Sequence, residues 1–245
     1  MFPPTVFSSL SAKHWLLGFV CVAMHLLLLP RAGAESADPM AQRTLACTSC
    51  HGPQGKSGPD GYYPRLAGKP AGYLYNQLRN IHDGRRQYAP MQGLLATLND
   101  AYLREMADYF SNLDVPYPPP VAQRTDAAVL ARGQTLALQG DRALQLPACT
   151  QCHGTALTGV QPHTPGLLGL PRDYLNAQLG GWQTGQRKAQ APDCMAHIAK
   201  GLSDADVHAV TTWLASQTVP KASRAVAQRP ALAPGASAIE CGSAP

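Results

Sequence analysis

Cys47-Thr48-Ser49-Cys50-His51 and Cys149-Thr150-Gln151-Cys152-His153 are two copies of one pentapeptide, Cys-x-x-Cys-His. Two thiols on adjacent helical turns can add across the two vinyl groups of one porphyrin, and the residue that follows presents an imidazole nitrogen to the iron. Other uses of paired cysteines fit worse. A zinc ribbon sets its second pair roughly 15–20 residues after the first, whereas these pairs lie 102 residues apart. A redox-active dithiol belongs beside a βαβ pattern, and no strand-period run flanks either copy. The spacing therefore predicts two covalently attached heme c groups, held by Cys47 and Cys50 and by Cys149 and Cys152, with His51 and His153 as proximal iron ligands.

The elements that position these residues also occur twice. Pro64–Leu78 matches Pro165–Leu179, with Pro, Leu, Gly, Pro, Tyr, Leu, Gln and Leu in common, and Met91–Asp100 matches Met195–Asp204 after a three-residue difference in loop length. Each copy ends on a capped helix with one apolar stripe. Asn99 precedes Leu103, Met106, Ala107 and Phe110, and Ser203 precedes Val207, Val210, Thr211 and Leu214. An earlier helix starts near Pro70 and Pro171 and turns Leu74, Leu78 and Ile81, or Leu175, Leu179 and Trp182, inward. A further helix precedes each heme motif, at about 39–47 and about 127–138. The expected fold is all-α, with two small domains whose cores each include a porphyrin. Residues 35–115 form domain 1, 116–125 a proline-rich linker, 126–220 domain 2 and 221–245 a flexible tail.

The sixth iron ligand in each domain is expected to be methionine, a soft and neutral thioether that raises the potential above that of a second histidine. Met195 is the only methionine after the second motif, and Met91 occupies the matching place in the first. Met106 lies on the apolar stripe and reads as core. His82, His163, His197 and His208 read as solvated or capping residues, since Gly93 stands opposite His197 in the repeat. The carbonyls of Pro64 and Pro165 could accept the proximal imidazole N–H. Arg86 and Arg187 align across the repeat and read either as propionate partners or as solvated loop charges. Cys194 and Cys241 are left over, and a bond between them would pin the tail across the Met195 loop.

Lys13 precedes an apolar run from Trp15 to Leu29, and Ala32-Gly33-Ala34 follows as a small-x-small cleavage site. Residues 1–34 are expected to be a signal peptide cleaved near Ala34, because a membrane span needs about 20 apolar residues. Cys21 is apolar filler in that run. Without the leader the net charge falls from +5 to +3, and heme propionates would bring it near zero, so no nucleic-acid partner is expected.

These motifs resemble those of diheme class I cytochromes c of the cytochrome c4 type. The resemblance rests on Cys47–His51 with Met91, on Cys149–His153 with Met195, and on the repeated Pro-x-Leu-x-Gly-x-Pro and Met-x(6)-Leu segments, covering nearly all of residues 38–218. It implies a periplasmic carrier that passes single electrons from a quinol-oxidising complex to a terminal oxidase or another acceptor. The alternatives are a cytochrome subunit of a periplasmic dehydrogenase and, less favoured, a diheme peroxidase, which would need an iron position open to peroxide. One departure from the repeat is Gln42-Arg43-Thr44, which stands where the second copy has Arg132-Gly133-Gln134, so the close helix contact a glycine permits is expected only in the second domain.

Overall fold

The computed structural model describes residues 39–58, 61–120, 125–231 and 239–244. The expected signal peptide lies outside them, as do residues 121–124 of the linker and residues 232–238 and 245 of the tail. Residues 40–245 form one compact unit; of the other unit, residues 1–39, only Pro39 is among those described. No helix of the described residues is long and apolar enough to cross a membrane.

The described residues are mostly helical. In the first half these are α1 (Pro39–Arg43), α2 (Leu45–His51), α3 (Ala71–His82), α4 (Ala89–Leu95) and α5 (Asp100–Asn112). In the second half they are α6 (Ala127–Leu138), α7 (Cys149–His153), α8 (Arg172–Gln183), α9 (Cys194–Gly201) and α10 (Asp204–Ser216). A two-stranded antiparallel ladder, β1 (Gly159–Val160) with β2 (Thr164–Pro165), follows the second motif. Strands of two residues are too short to show a period in the sequence.

The final helices form where the sequence predicts. Asn99 Oδ1 accepts the Tyr102 N–H at 2.9 Å and Ser203 Oγ accepts that of Asp206 at 3.1 Å, so each cap satisfies a donor that lacks an intrahelical partner. Leu103, Met106, Ala107 and Phe110 are buried, as are Val207, Val210, Thr211 and Leu214. Pro70 and Pro171 stand at the N-cap of α3 and α8, one residue before the first turn. Helix α3 packs on α5, and α8 on α10.

The two halves differ at their opening helix. In the second, a Cβ on Gly133 would meet the Ala209 carbonyl oxygen at 2.2 Å, so the α6 and α10 backbones touch where glycine stands. The first half breaks its opening helix into α1 and α2 at Thr44, which is fully buried and donates its hydroxyl to Met40 O at 2.8 Å. The linker is likewise no bare spacer. Arg65 donates to the carbonyls of Val115 and Pro116 and stacks over the Tyr117 ring at 3.8 Å. Tyr117 also packs so closely on Gly169 that a Cβ there would lie 2.3 Å from the ring.

The described part of the tail is linked to both halves. Arg224 donates to Ser111 O and Asn112 O at the end of α5, and Val226 bridges to Val160. Cys241 is bonded to Cys194. A disulfide, which the two leftover cysteines had suggested, and backbone bonds hold the segment rather than an apolar stripe.

Gly133→Ala separates packing from helix propensity. Propensity alone would stabilise α6 by about 1 kcal/mol, whereas a Cβ forced against Ala209 O should destabilise the protein by about 2 kcal/mol. Denaturant unfolding should show the loss; a gain would contradict the close contact.

Candidate functional site

Helix α2 carries Cys47–His51 and α7 is Cys149–His153, so each motif sits on its own short helix. Behind each histidine the chain turns away at once. Gly52 (φ 75°, ψ 163°) and Gly154 (φ 82°, ψ 151°) adopt a conformation that only glycine takes readily. A Cβ on Gly52 would lie 2.5 Å from Ser57 O. Sequence reasoning stopped at the histidines and missed this glycine, although its recurrence in both copies was the available signal.

The returning loop passes beside each imidazole. The Pro64 carbonyl lies 2.7 Å from His51 Nδ1 and the Pro165 carbonyl 2.7 Å from His153 Nδ1. A carbonyl can only accept, so Nδ1 carries the proton and Nε2 keeps the lone pair that binds metal. Burial pushes both imidazole pKa values down, that of His153 to about 4, which keeps the rings neutral.

A cavity of about 240 Å³ is lined by Cys149, Cys152, His153, Leu175, Trp182 and Met195 of the second half, with Lys69 and Arg86 of the first at its wall. The structure thus brings Met195 to the same cavity as the second motif. In the first half, Met91 and Cys47 pack against one apolar cluster that includes Ile81, Leu95 and Leu103. Met106 is a buried member of that cluster, as core packing requires. Among the remaining histidines, His82, His197 and His208 are exposed. His163 departs from the expectation of a solvated or capping residue: it is half-buried, its Nδ1 has no hydrogen-bond partner, and it packs on Gly72.

Positive charge gathers where the halves meet. The Arg86 guanidinium donates to Gln77 Oε1 at 3.1 Å and to Gln178 Oε1 at 2.8 Å. That of Arg187 donates to the same two oxygens at 2.5 Å and 3.0 Å, with the roles exchanged. Backbone bonds from Gln87 N–H to Gln186 O and from Lys188 N–H to Arg85 O, both 2.8 Å, close this quasi-symmetric junction. Arg187 is 6% exposed, which excludes the reading of a solvated loop charge. Lys69 is buried too; its ammonium donates to Gly166 O at 3.0 Å, and burial lowers its pKa to about 7. Among the described residues no carboxylate pairs with Arg86, Arg187 or Lys69.

These features allow a test of whether heme fits. Trp182 Nε1 is a buried donor with no partner, and Arg187 stacks over its ring at 3.8 Å. Unpartnered buried donors and cations are costly unless an acceptor meets them. The cavity combines apolar walls, two thiols that form no disulfide, an available Nε2 and buried donors without acid partners. That donor set suits an apolar macrocycle that carries carboxylates, and heme is such a molecule.

The family model for cytochrome c matches residues 40–114 and 130–218. A relative from Thiomonas intermedia, named thiosulfate dehydrogenase electron acceptor, is 40% identical over 172 residues, covering 70% of this chain and 78% of its own. Two solved structures are similar, each at 29% identity. A thiosulfate dehydrogenase from Marichromatium purpuratum matches with a TM-score of 0.65 over 75% of this chain, which spans 41% of that longer chain. Reduced recombinant cytochrome c4 from Pseudomonas stutzeri matches with a TM-score of 0.61 over 73% of this chain and 97% of its own.

Cys194 and Cys241 are 5.1 Å apart at Cα and joined by a disulfide. Both should resist iodoacetamide in denatured, unreduced protein and take up one label each after reduction. Peptide mapping reads the result, and labelling of either cysteine before reduction would contradict the bond.

Proposed function

Since the chain belongs to the cytochrome c family, we propose that it carries single electrons between exported redox proteins on two heme c groups, one in each half. Cys47 and Cys50 would hold the first heme through thioethers, with His51 and Met91 on its iron. Cys149 and Cys152 would hold the second, with His153 and Met195 on its iron. When bound, each heme supplies a one-electron ferric/ferrous couple.

The observation that carries this reading is the cavity shared by Cys149, Cys152, His153 and Met195. The chain's residues do the rest of the work. The Pro64 and Pro165 carbonyls fix each imidazole with its Nδ1 protonated. A methionine thioether held with that imidazole would favour the ferrous state and raise the potential. Two protein ligands on each iron leave no position for a substrate, which supports outer-sphere transfer over peroxidase chemistry. Arg86, Arg187 and Trp182 would neutralise or bond propionates around the junction. The leader-like start of the chain and thioether attachment outside the cytoplasm support a periplasmic address, with residues 1–34 removed.

The donor we assign is a dehydrogenase that oxidises thiosulfate. The name of the 40%-identical relative supports it, as does the likeness to part of a thiosulfate dehydrogenase structure. A carrier with two one-electron centres can also accept both electrons of a two-electron donor. A quinol-oxidising complex is the rival donor, and a terminal oxidase is the class of acceptor downstream.

When purified ferric holoprotein is mixed with thiosulfate dehydrogenase, both its hemes should become reduced once thiosulfate is added, and thiosulfate alone should reduce neither at a comparable rate. Stopped-flow absorbance gives the rates. Failure with the dehydrogenase, together with fast reduction by a quinol-oxidising complex, would transfer the donor assignment to the latter.

A further inference from the structure

The two halves differ in the length of the segment that delivers the sixth ligand. Met91 follows Arg86 by five positions, and Met195 follows Arg187 by eight. A longer loop has more conformations to lose when its end is held in one place. The longer loop is also the one the C-terminal segment fastens.

Three links join residues 190–194 to residues 241–243. Cys194, next to Met195, is disulfide-bonded to Cys241. The Gly242 N–H donates to Pro192 O at 2.9 Å, and the Gln190 N–H donates to Ser243 Oγ at 3.2 Å. The approach is close enough that a Cβ on Gly242 would lie 2.1 Å from Ala191 O. A fourth link ties the segment to the first half, where Asn76 Nδ2 on α3 donates to Ser243 O at 2.8 Å.

An earlier part of the tail reaches the side of the cavity that carries His153. Val226 N–H donates to Gly159 O at 3.0 Å and Val226 O accepts from Gln161 N–H at 2.8 Å, in the ladder that follows the second motif. Arg229, Ile239, Cys241, Ser243 and Ala244 all line the cavity. The tail therefore bonds beside the His153 segment at one end and beside the Met195 segment at the other. Among the described residues no disulfide fastens Met91.

We propose that residues 239–244 are a covalently fastened strap that keeps Met195 on the iron of the second heme and closes that heme to exogenous ligands. The inference rests on the reading of Met195 as an axial ligand. Cys194 and Cys241 are positioning residues, since neither touches the iron. With the strap released, the longer loop swings Met195 away more often, and the open iron becomes accessible to small anions at a rate set by the open population.

The test uses full-length ferric holoprotein and cyanide. Met91→Ala and Met195→Ala first assign the weak red sulfur-to-iron band, and the cyanide-bound spectra, to one heme each. If Met195→Ala leaves the band unchanged, the ligand assignment falls and the strap with it. Given that assignment, the double variant Cys194→Ser/Cys241→Ser should bind cyanide at the second heme at least about tenfold faster than wild type. The first heme should keep its rate. The second heme's share of the red band should fade on warming well below global unfolding, which a uniformly destabilised protein would not show. Gly242→Val, which crowds Ala191 with both cysteines retained, should give a smaller increase and serves if the double variant does not fold. Equal cyanide rates at the second heme in wild type and in the variant that folds would overturn the strap while leaving the ligand assignment standing.

Discussion

An imidazole binds iron only through a nitrogen that carries no proton, so on the proposed reading each half of this chain depends on fixing which nitrogen that is. The 2.7 Å contacts from His51 Nδ1 to Pro64 O and from His153 Nδ1 to Pro165 O do so in both copies. A backbone carbonyl cannot switch from acceptor to donor, so the tautomer is fixed by the fold. The surrounding loop is built to hold that carbonyl. Gly52 and Gly154 reverse the chain immediately behind the histidines. The segment after each proline then leads into α3 or α8, whose apolar stripe faces the final helix. Burial of the rings in this frame keeps them neutral and ready to ligate.

The same loops also join the two halves. The residue after Pro165 accepts from the ammonium of Lys69, which belongs to the first half. The residue after Pro64 is Arg65, whose guanidinium holds the linker carbonyls and the Tyr117 ring. Arg86 and Arg187 then meet at the junction and share the oxygens of Gln77 and Gln178. Like charges in contact need counter-charge, and heme propionates are the natural supply.

What could be read from the sequence was local or repeated. The caps Asn99 and Ser203, the buried stripes and the prolines ahead of α3 and α8 follow from short-range rules that tertiary contacts did not override. Met91 was read apart from Met106 because the second copy offers Met195 alone to align with and because Met106 lies on the apolar stripe of the final helix. Features built from distant partners were not legible. The four-residue exchange at the junction looked like two loop arginines, because its glutamines lie 9 or more residues away along the chain. Of the tail's links, the two leftover cysteines pointed to the bond with Cys194, whereas those to Gly159 and Ser111 run to residues far from it in sequence and left no local signal. The partial burial of His163 arises from Gly72 in the other half, and no pattern within its own segment announces that contact.

The central claim is that the chain holds two heme irons, each closed by one histidine and one methionine. Low-temperature electron paramagnetic resonance of the ferric holoprotein, integrated against total iron, tests it directly. Two low-spin ferric centres per chain, both with the signature of sulfur and imidazole ligation and without a high-spin component, are expected. A high-spin signal from either heme, or a bis-imidazole centre, would contradict it.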